Sequence, residues 1–396
     1  MNPLEKQLLQ FPAPDMSAQQ HSQQLIRLMR DEIEQGGGRI SFERFMALAL
    51  TAPGLGYYVS GNQKLGAAGD FVTAPEISSL FSRCLARQCA PILEHLAKDA
   101  RANILEFGAG SGIMAADILL ELERLQQLPA VYLILEVSGE LRQRQRDTLQ
   151  KQVPHLLDRV KWLDTLPGRG FRGVILANEV LDAMPVHLFF KDRQKLGELY
   201  VAWDGERFVW QKGGFSNSQI EARVKALNDR LPDNYRSEIN LAMDAWIVSM
   251  AEMMEQAVML IIDYGFSTQE YYHPQRAQGT LMCHYRHRSH DNPFVYPGLQ
   301  DITAHVDFTA VAEAADGAGL QVAGYNTQAM FLLANGLETM LQSVGVDDPE
   351  FLQLARQVKT LTMPGEMGEL FKVMALTRGY THTLQGFQLQ DLRVKL

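Results

Sequence analysis

Between residues 103 and 178, short apolar runs alternate with longer stretches of helical character, and no other feature restricts the fold as much. NILEF ends at Phe107, VYLILE at Glu136, RVKWLD at Asp164 and GVILAN at Asn178, with IMAADILLELERL and LRQRQRDTLQ lying between them. Runs this uniformly apolar need cover on both faces. Their alternation with helices predicts an α/β fold built on a doubly wound, mostly parallel sheet. AVMLIIDYG adds a fifth strand, and QVAGYNTQ and ELFKVMALTR bring the expected sheet to seven.

The rest of the chain is expected to surround this core. Residues 1–98 read as an N-terminal helical region, with helices near 18–35 and 41–50, followed by a Gly-rich loop of 25 residues, GLGYYVSGNQKLGAAGDFVTAPEIS. Loops of that length in compact domains usually serve a function. Residues 99–190 and 256–396 form the expected core, and 191–255 an inserted subdomain. Within the insertion, Asp204-Gly205 joins two alternating runs, a hairpin signal, and SEINLAMDAWIVSMAEMMEQ reads as one long helix. Residues 265–305 are expected to be irregular.

Composition excludes several classes. A net charge of −9 argues against a general nucleic-acid binder. The basic run Arg142, Arg144, Arg146 reads as a solvated helix face. No apolar stretch is long enough to cross a membrane, so no membrane insertion is expected. The N-terminus has neither a signal-peptide pattern nor an Arg-rich leader. Three cysteines, Cys84, Cys89 and Cys283, cannot all pair and form no CxxC motif. A cytoplasmic, reduced protein without a metal cluster is expected.

The segment LEFGAGSG places three glycines, Gly108, Gly110 and Gly112, between a strand and a helix. That arrangement puts a ligand at a helix N-terminus. The spacing is GxGxG rather than the dinucleotide GxGxxG, and no Gly-Lys-Ser/Thr follows. Glu106 ends the preceding strand, where a carboxylate would repel a phosphate and attract an ammonium or sulfonium. S-adenosylmethionine carries both cations and no phosphate. Glu136, at the next strand end, then suits the ribose hydroxyls, and Asp164, at the third, the adenine amino group. The three carboxylates line the edge at which open α/β sheets bind ligands.

GYY, GDFVTAPEIS, LEFGAGSG, NEVLDAMPV, IDYG, GTLMCHYRH, PG-x-x-DITAHVDF and MGELFKVMA occur in this order between about residues 50 and 375. On these motifs the chain resembles the MidA-like methyltransferases. The resemblance implies a class I, Rossmann-like methyltransferase sheet with insertions. It also implies S-adenosylmethionine as cofactor, arginine on a protein as methyl acceptor, and a link to assembly of a respiratory complex. It further implies that loop 66–76, with Asp70 and Thr73, folds over the cofactor. Family members often carry GPGRG in the glycine loop, whereas this chain has GAGSG, without the arginine charge.

Methyl transfer is an in-line displacement that needs collinear, water-free alignment. Asn178, Glu179 and Asp182 follow the fourth strand at the cofactor edge and are the candidate catalytic residues. A carboxylate there matches the planar fork of a guanidinium; the competing reading makes Asn178 and Asp182 caps of a following helix. Asp263 and Tyr264, which end the fifth strand, are candidates for substrate contact, and His287, His305 and Asp307 for substrate contact or proton removal. A protein substrate is the expected partner, with a homodimer left open. Methylation of a small molecule, and a cofactor-binding assembly factor without catalysis, are the competing functions.

Overall fold

The computed structural model describes residues 11–60, 73–98, 101–342 and 349–396. The chain divides into two compact units, each assembled from separated segments. One comprises Val72–Leu181, Trp246–Thr268 and Val306–Leu396; the other comprises Met1–Phe71, Asp182–Ala245 and Gln269–His305. This division runs differently from the boundaries expected at 98, 190 and 255.

The first unit carries the doubly wound sheet. Its strands are β1 (Asn103–Phe107), β2 (Tyr132–Leu135), β3 (Val160–Leu163), β4 (Phe171–Asn178), β5 (Met254–Phe266), β6 (Gln321–Thr327) and β7 (Phe371–Arg378). They lie in the order β6-β7-β5-β4-β1-β2-β3. Strands β3, β2, β1, β4 and β5 run parallel, and β7 runs antiparallel to both β5 and β6. The strand order reverses between β1 and β4, which is the switch point where such sheets open a crevice for ligands. An eighth, two-residue strand, Val306–Asp307, pairs with β5 off this path. Burial follows the sequence pattern: Ile104, Ile134, Val174, Leu176, Val258, Leu260 and Ile262 are fully buried in one cluster.

Helices α1 (Ser79–Leu96), α2 (Ile113–Arg124) and α3 (Gly139–Gln152) belong to this unit. Glu121 on α2 pins α2 to α1, pairing with Arg83 and Arg87 at 3.1 Å each and with Arg124 at 2.6 Å. Burial pushes its carboxyl up, but the bonds from Arg124 and Arg87 and the charge of Arg83 outweigh this and hold it at about 2. Because the glycine loop leads directly into α2, anchoring this helix also anchors the loop.

The second unit has its own core, in which Leu25, Met29, Phe42 and Phe45 pack with Leu188, Val201, Cys283 and Ile302. Helix Met16–Gln35 and helix Phe42–Thr51, capped by Ser41, lie where the sequence places them. Strands Lys195–Trp203 and Phe208–Gly213 form the expected hairpin, and Asp204 accepts from the backbone N–H groups of Glu206 and Arg207 at 2.9 Å each. Two expectations fail. The long helix begins only at Leu241; Tyr235–Ile239 is a strand that pairs with His187–Asp192. Glu238, which looks like a helix-surface residue, is buried because the N–H groups of Thr280 and Leu281 donate to its carboxylate. Residues 265–305 are not irregular: Met282–Tyr285, Arg288–His290 and Asp301–Thr303 make a three-stranded antiparallel sheet. In both cases the stabilising partner is distant in sequence, so no local pattern announces it.

Candidate active site

The glycine loop has the geometry its spacing implied. Gly108, Gly110 and Gly112 adopt φ of +61°, +53° and +84°, a region that costs an L-residue roughly 1–2 kcal/mol. Two of these positions differ in their surroundings. A Cβ on Gly112 would lie 3.0 Å from the Cα of Gln145 on α3, so this glycine allows close packing. Among the described residues a Cβ on Gly108 would meet only Val180, at 4.0 Å, and this exposed glycine leaves room at the end of β1. Gly112 is the N-cap of α2 and supplies no side-chain cap, so α2 presents its unpaired N–H groups beside the loop.

The strand-end carboxylates are held in different ways. Glu106 is fully buried; the Tyr132 hydroxyl donates to its Oε2 at 2.7 Å, and its Oε1 has no partner among the described residues. Burial raises its carboxyl to about 7 against the lowering effect of Tyr132, with the Glu136 charge adding to the rise. Glu136 is also buried and lies above the ordinary carboxylate range, chiefly through desolvation. Its two oxygens accept from the Ser138 N–H at 2.8 Å and the Gln145 amide at 3.1 Å. Asp164 sits at the third strand end, exposed, with Arg142 donating to it at 2.6 Å.

Arg142 also donates to the carbonyls of Glu136 and Leu163, and Arg146 stacks over Trp162 at 4.8 Å. The basic run is therefore not the solvated face expected of it: two of its arginines tie α3 to the strand ends. Thr73 is the N-cap residue of the short helix Ala74–Ile77 and makes no side-chain cap bond. From that helix, Glu76 accepts a hydrogen bond from Ser111, inside the glycine loop. Asp70 lies outside the described residues.

Residues 84–326 match the family model described as "Putative S-adenosyl-L-methionine-dependent methyltransferase". The chain belongs to this methyltransferase family. It is 30% identical to the mitochondrial protein arginine methyltransferase NDUFAF7 homolog of Drosophila melanogaster, covering 86% of this chain and 82% of that protein. The Danio rerio protein arginine methyltransferase NDUFAF7, also mitochondrial, is 29% identical, with 86% and 83% covered. Among solved structures, a "likely methyl transferase" from Burkholderia thailandensis bound to S-adenosyl-homocysteine is 45% identical, with a TM-score of 0.93 over 98% of this chain and 100% of that one. The chain is an S-adenosylmethionine-dependent methyltransferase, and S-adenosylmethionine is its cofactor. The mitochondrial location of the curated relatives overturns the cytoplasmic placement expected from the sequence.

The described residues fit this cofactor. Glu106 Oε1 and Asn178 Oδ1 are buried acceptors without partners among the described residues; each costs about 1–3 kcal/mol until an N–H group reaches it. A ligand bearing an ammonium meets that need, whereas a phosphate does not. No group of three or more metal-binding side chains occurs among the described residues. No helix among them is long and apolar enough to cross a membrane.

Asn178 ends β4 beside β1, with Phe107 and Ala177 in register. Its amide donates to Glu179 at 3.4 Å. Glu179 adopts φ +52°, and its N–H donates to the carbonyl of Ile262 at 2.9 Å. No helix follows, so neither Asn178 nor Asp182 is a helix cap. Asp263 is fully buried and braces this turn, accepting from the N–H groups of Leu181 at 3.0 Å and Tyr264 at 2.9 Å. Tyr264 packs edge-on against Phe371. Asp307 caps helix Phe308–Gly317, accepting from the N–H groups of Thr309 and Ala310, and burial raises its carboxyl to about 6.

The remaining candidates belong to the second unit. Asp182 is buried there; its carbonyl accepts from the Ala304 N–H, and its charge acts on Tyr58, whose hydroxyl donates to Asp301 at 2.8 Å. His287 is exposed and follows Arg286 in a two-residue hairpin turn, with both residues at positive φ. The N–H of His305 donates to the Thr280 hydroxyl at 3.1 Å. Sequence reasoning missed Tyr132, Gln145 and Ser111. Tyr132 was legible in principle, as a polar tip at the first residue of β2, facing the same side as Ile134.

Proposed function

We propose that this methyltransferase acts on arginine in a protein substrate, with Glu179 holding the guanidinium. The observation that carries the reading is the backbone of Glu179, at φ +52° directly after β4 and beside Asn178. A residue other than glycine in this region costs roughly 1–2 kcal/mol, and such strain gathers at functional sites. The curated relatives are named protein arginine methyltransferases, and the link to assembly of a respiratory complex belongs to the same reading.

Bound S-adenosylmethionine supplies an electrophilic methyl group on a sulfonium. Glu179 accepts two N–H bonds from the planar guanidinium, fixing its orientation and concentrating electron density on the nitrogen opposite. That nitrogen would take the methyl as the methyl–sulfonium bond breaks, leaving S-adenosylhomocysteine, and would release one proton to solvent, while Asp263 keeps the turn that carries Glu179 in place. Mass spectrometry of methylated arginines in wild-type, deletion and Glu179→Gln cells tests this. Peptides that lose methylarginine in both mutant strains support the reading, and an unchanged profile in the deletion strain overturns it. If Glu179→Gln restores the deletion phenotype while methylation stays lost, the physiological role is scaffolding.

A further inference from the structure

Helix α3 is almost wholly polar, and only Gln145 and Leu149 are buried on it. Burying an amide is costly unless its donors and acceptor are matched, and Gln145, fully buried, has all of them engaged. Its Nε2 donates to the carbonyl of Gly110 at 3.2 Å and to Glu136 Oε2 at 3.1 Å, and its Oε1 accepts from the Trp162 indole at 2.8 Å. The amide can point only this way, because the carbonyl and the carboxylate accept while the indole N–H donates. The backbone of the same residue lies 3.0–3.2 Å from where a Cβ on Gly112 would fall. One side chain thus joins the glycine loop, the carboxylate after β2 and the third strand.

We propose that Gln145 is the positioning residue for the ribose end of the cofactor site. It fixes the plane of the Glu136 carboxylate and, through Gly110, the loop beside it. With the Ser138 N–H on one oxygen, the Gln145 amide on the other and the Val137 N–H also bonded to the carboxylate, Glu136 is held in one plane, from which it meets a vicinal diol. The inference rests on the reading that Glu136 accepts the ribose hydroxyls.

Calorimetry compares S-adenosylhomocysteine with its 2′,3′-dideoxyribose analogue on each protein, with apo melting curves confirming that each is folded. The wild type is expected to prefer the hydroxylated ligand by about tenfold or more, the value of a bond to a charged acceptor. Gln145→Met, of similar size, is expected to shrink that preference to about threefold or less. Gln145→Leu, which also lacks hydrogen-bonding atoms, is read in the same way if the methionine variant does not fold. General loosening of the structure would weaken both ligands equally and leave the ratio unchanged, which overturns the role of Gln145. A wild type that does not discriminate overturns the ribose assignment of Glu136 instead.

Discussion

Two neighbouring strand ends of the same sheet solve the same backbone problem in opposite ways. After β1 the chain turns through positive φ at Gly108, Gly110 and Gly112; after β4 it does so at Glu179. Glycine adopts this region without steric cost, so the first turn is relaxed. The second turn keeps a charged side chain where glycine would be easier. That difference separates a surface open to close backbone approach from one built around a carboxylate, the division that the proposed reading makes between cofactor and acceptor.

The sharpest way to break the comparison is to exchange the solutions. Glu179→Gly should relieve the strained turn and raise thermal stability, with roughly 1 kcal/mol gained from the backbone, while arginine methylation falls by about a hundredfold or more. Melting curves and turnover with labelled cofactor measure the two effects. A variant that keeps its turnover would make the carboxylate dispensable. Glu179→Gln should lose similar activity without the gain in stability, and S-adenosylhomocysteine affinity should hold in both.

In the opposite direction, Gly112→Ala places a Cβ at φ +84° and 3.0 Å from the Cα of Gln145. Backbone strain and the clash together should cost about 2–3 kcal/mol of stability and weaken cofactor binding. Chemical denaturation and calorimetry check this. A neutral effect would show that α3 can move aside and that the close packing around Gly112 is not required.

The strand-end carboxylates and the glycines were legible in the sequence because apolar runs end visibly and GxGxG is a local pattern. The same holds for the hairpin at Asp204-Gly205. What could not be read are features that depend on distant partners. Gln145 sits in LRQRQRDTLQ, where nothing local distinguishes it from Gln143, and only the approach of Gly110 and Trp162 makes it a buried hub. Asp164 reads as a free strand-end carboxylate until Arg142, 22 residues earlier, folds onto it. Residues 237–239 of strand Tyr235–Ile239 read locally as helix because the pairing partner, His187–Asp192, lies about fifty residues before them.

The smallest effect separates the two carboxylates on the cofactor side from each other by pH. The Glu106 carboxyl lies at about 7, above its ordinary value of 4.5, because burial opposes its charge. A raised acid favours the folded state while protonated, so the contribution of Glu106 to apo stability is complete below about pH 4.5 and is lost as pH rises through about 7. Binding of an ammonium runs the other way, since it needs the ionised carboxylate. S-adenosylhomocysteine affinity should therefore fall about fivefold from pH 7 to pH 6, following the ionised fraction. Glu106→Gln should flatten that dependence while binding more weakly at pH 8, both read by calorimetry. If the slope persists in Glu106→Gln, the titrating group is another one, and the orphaned oxygen of Glu106 does not receive the ammonium.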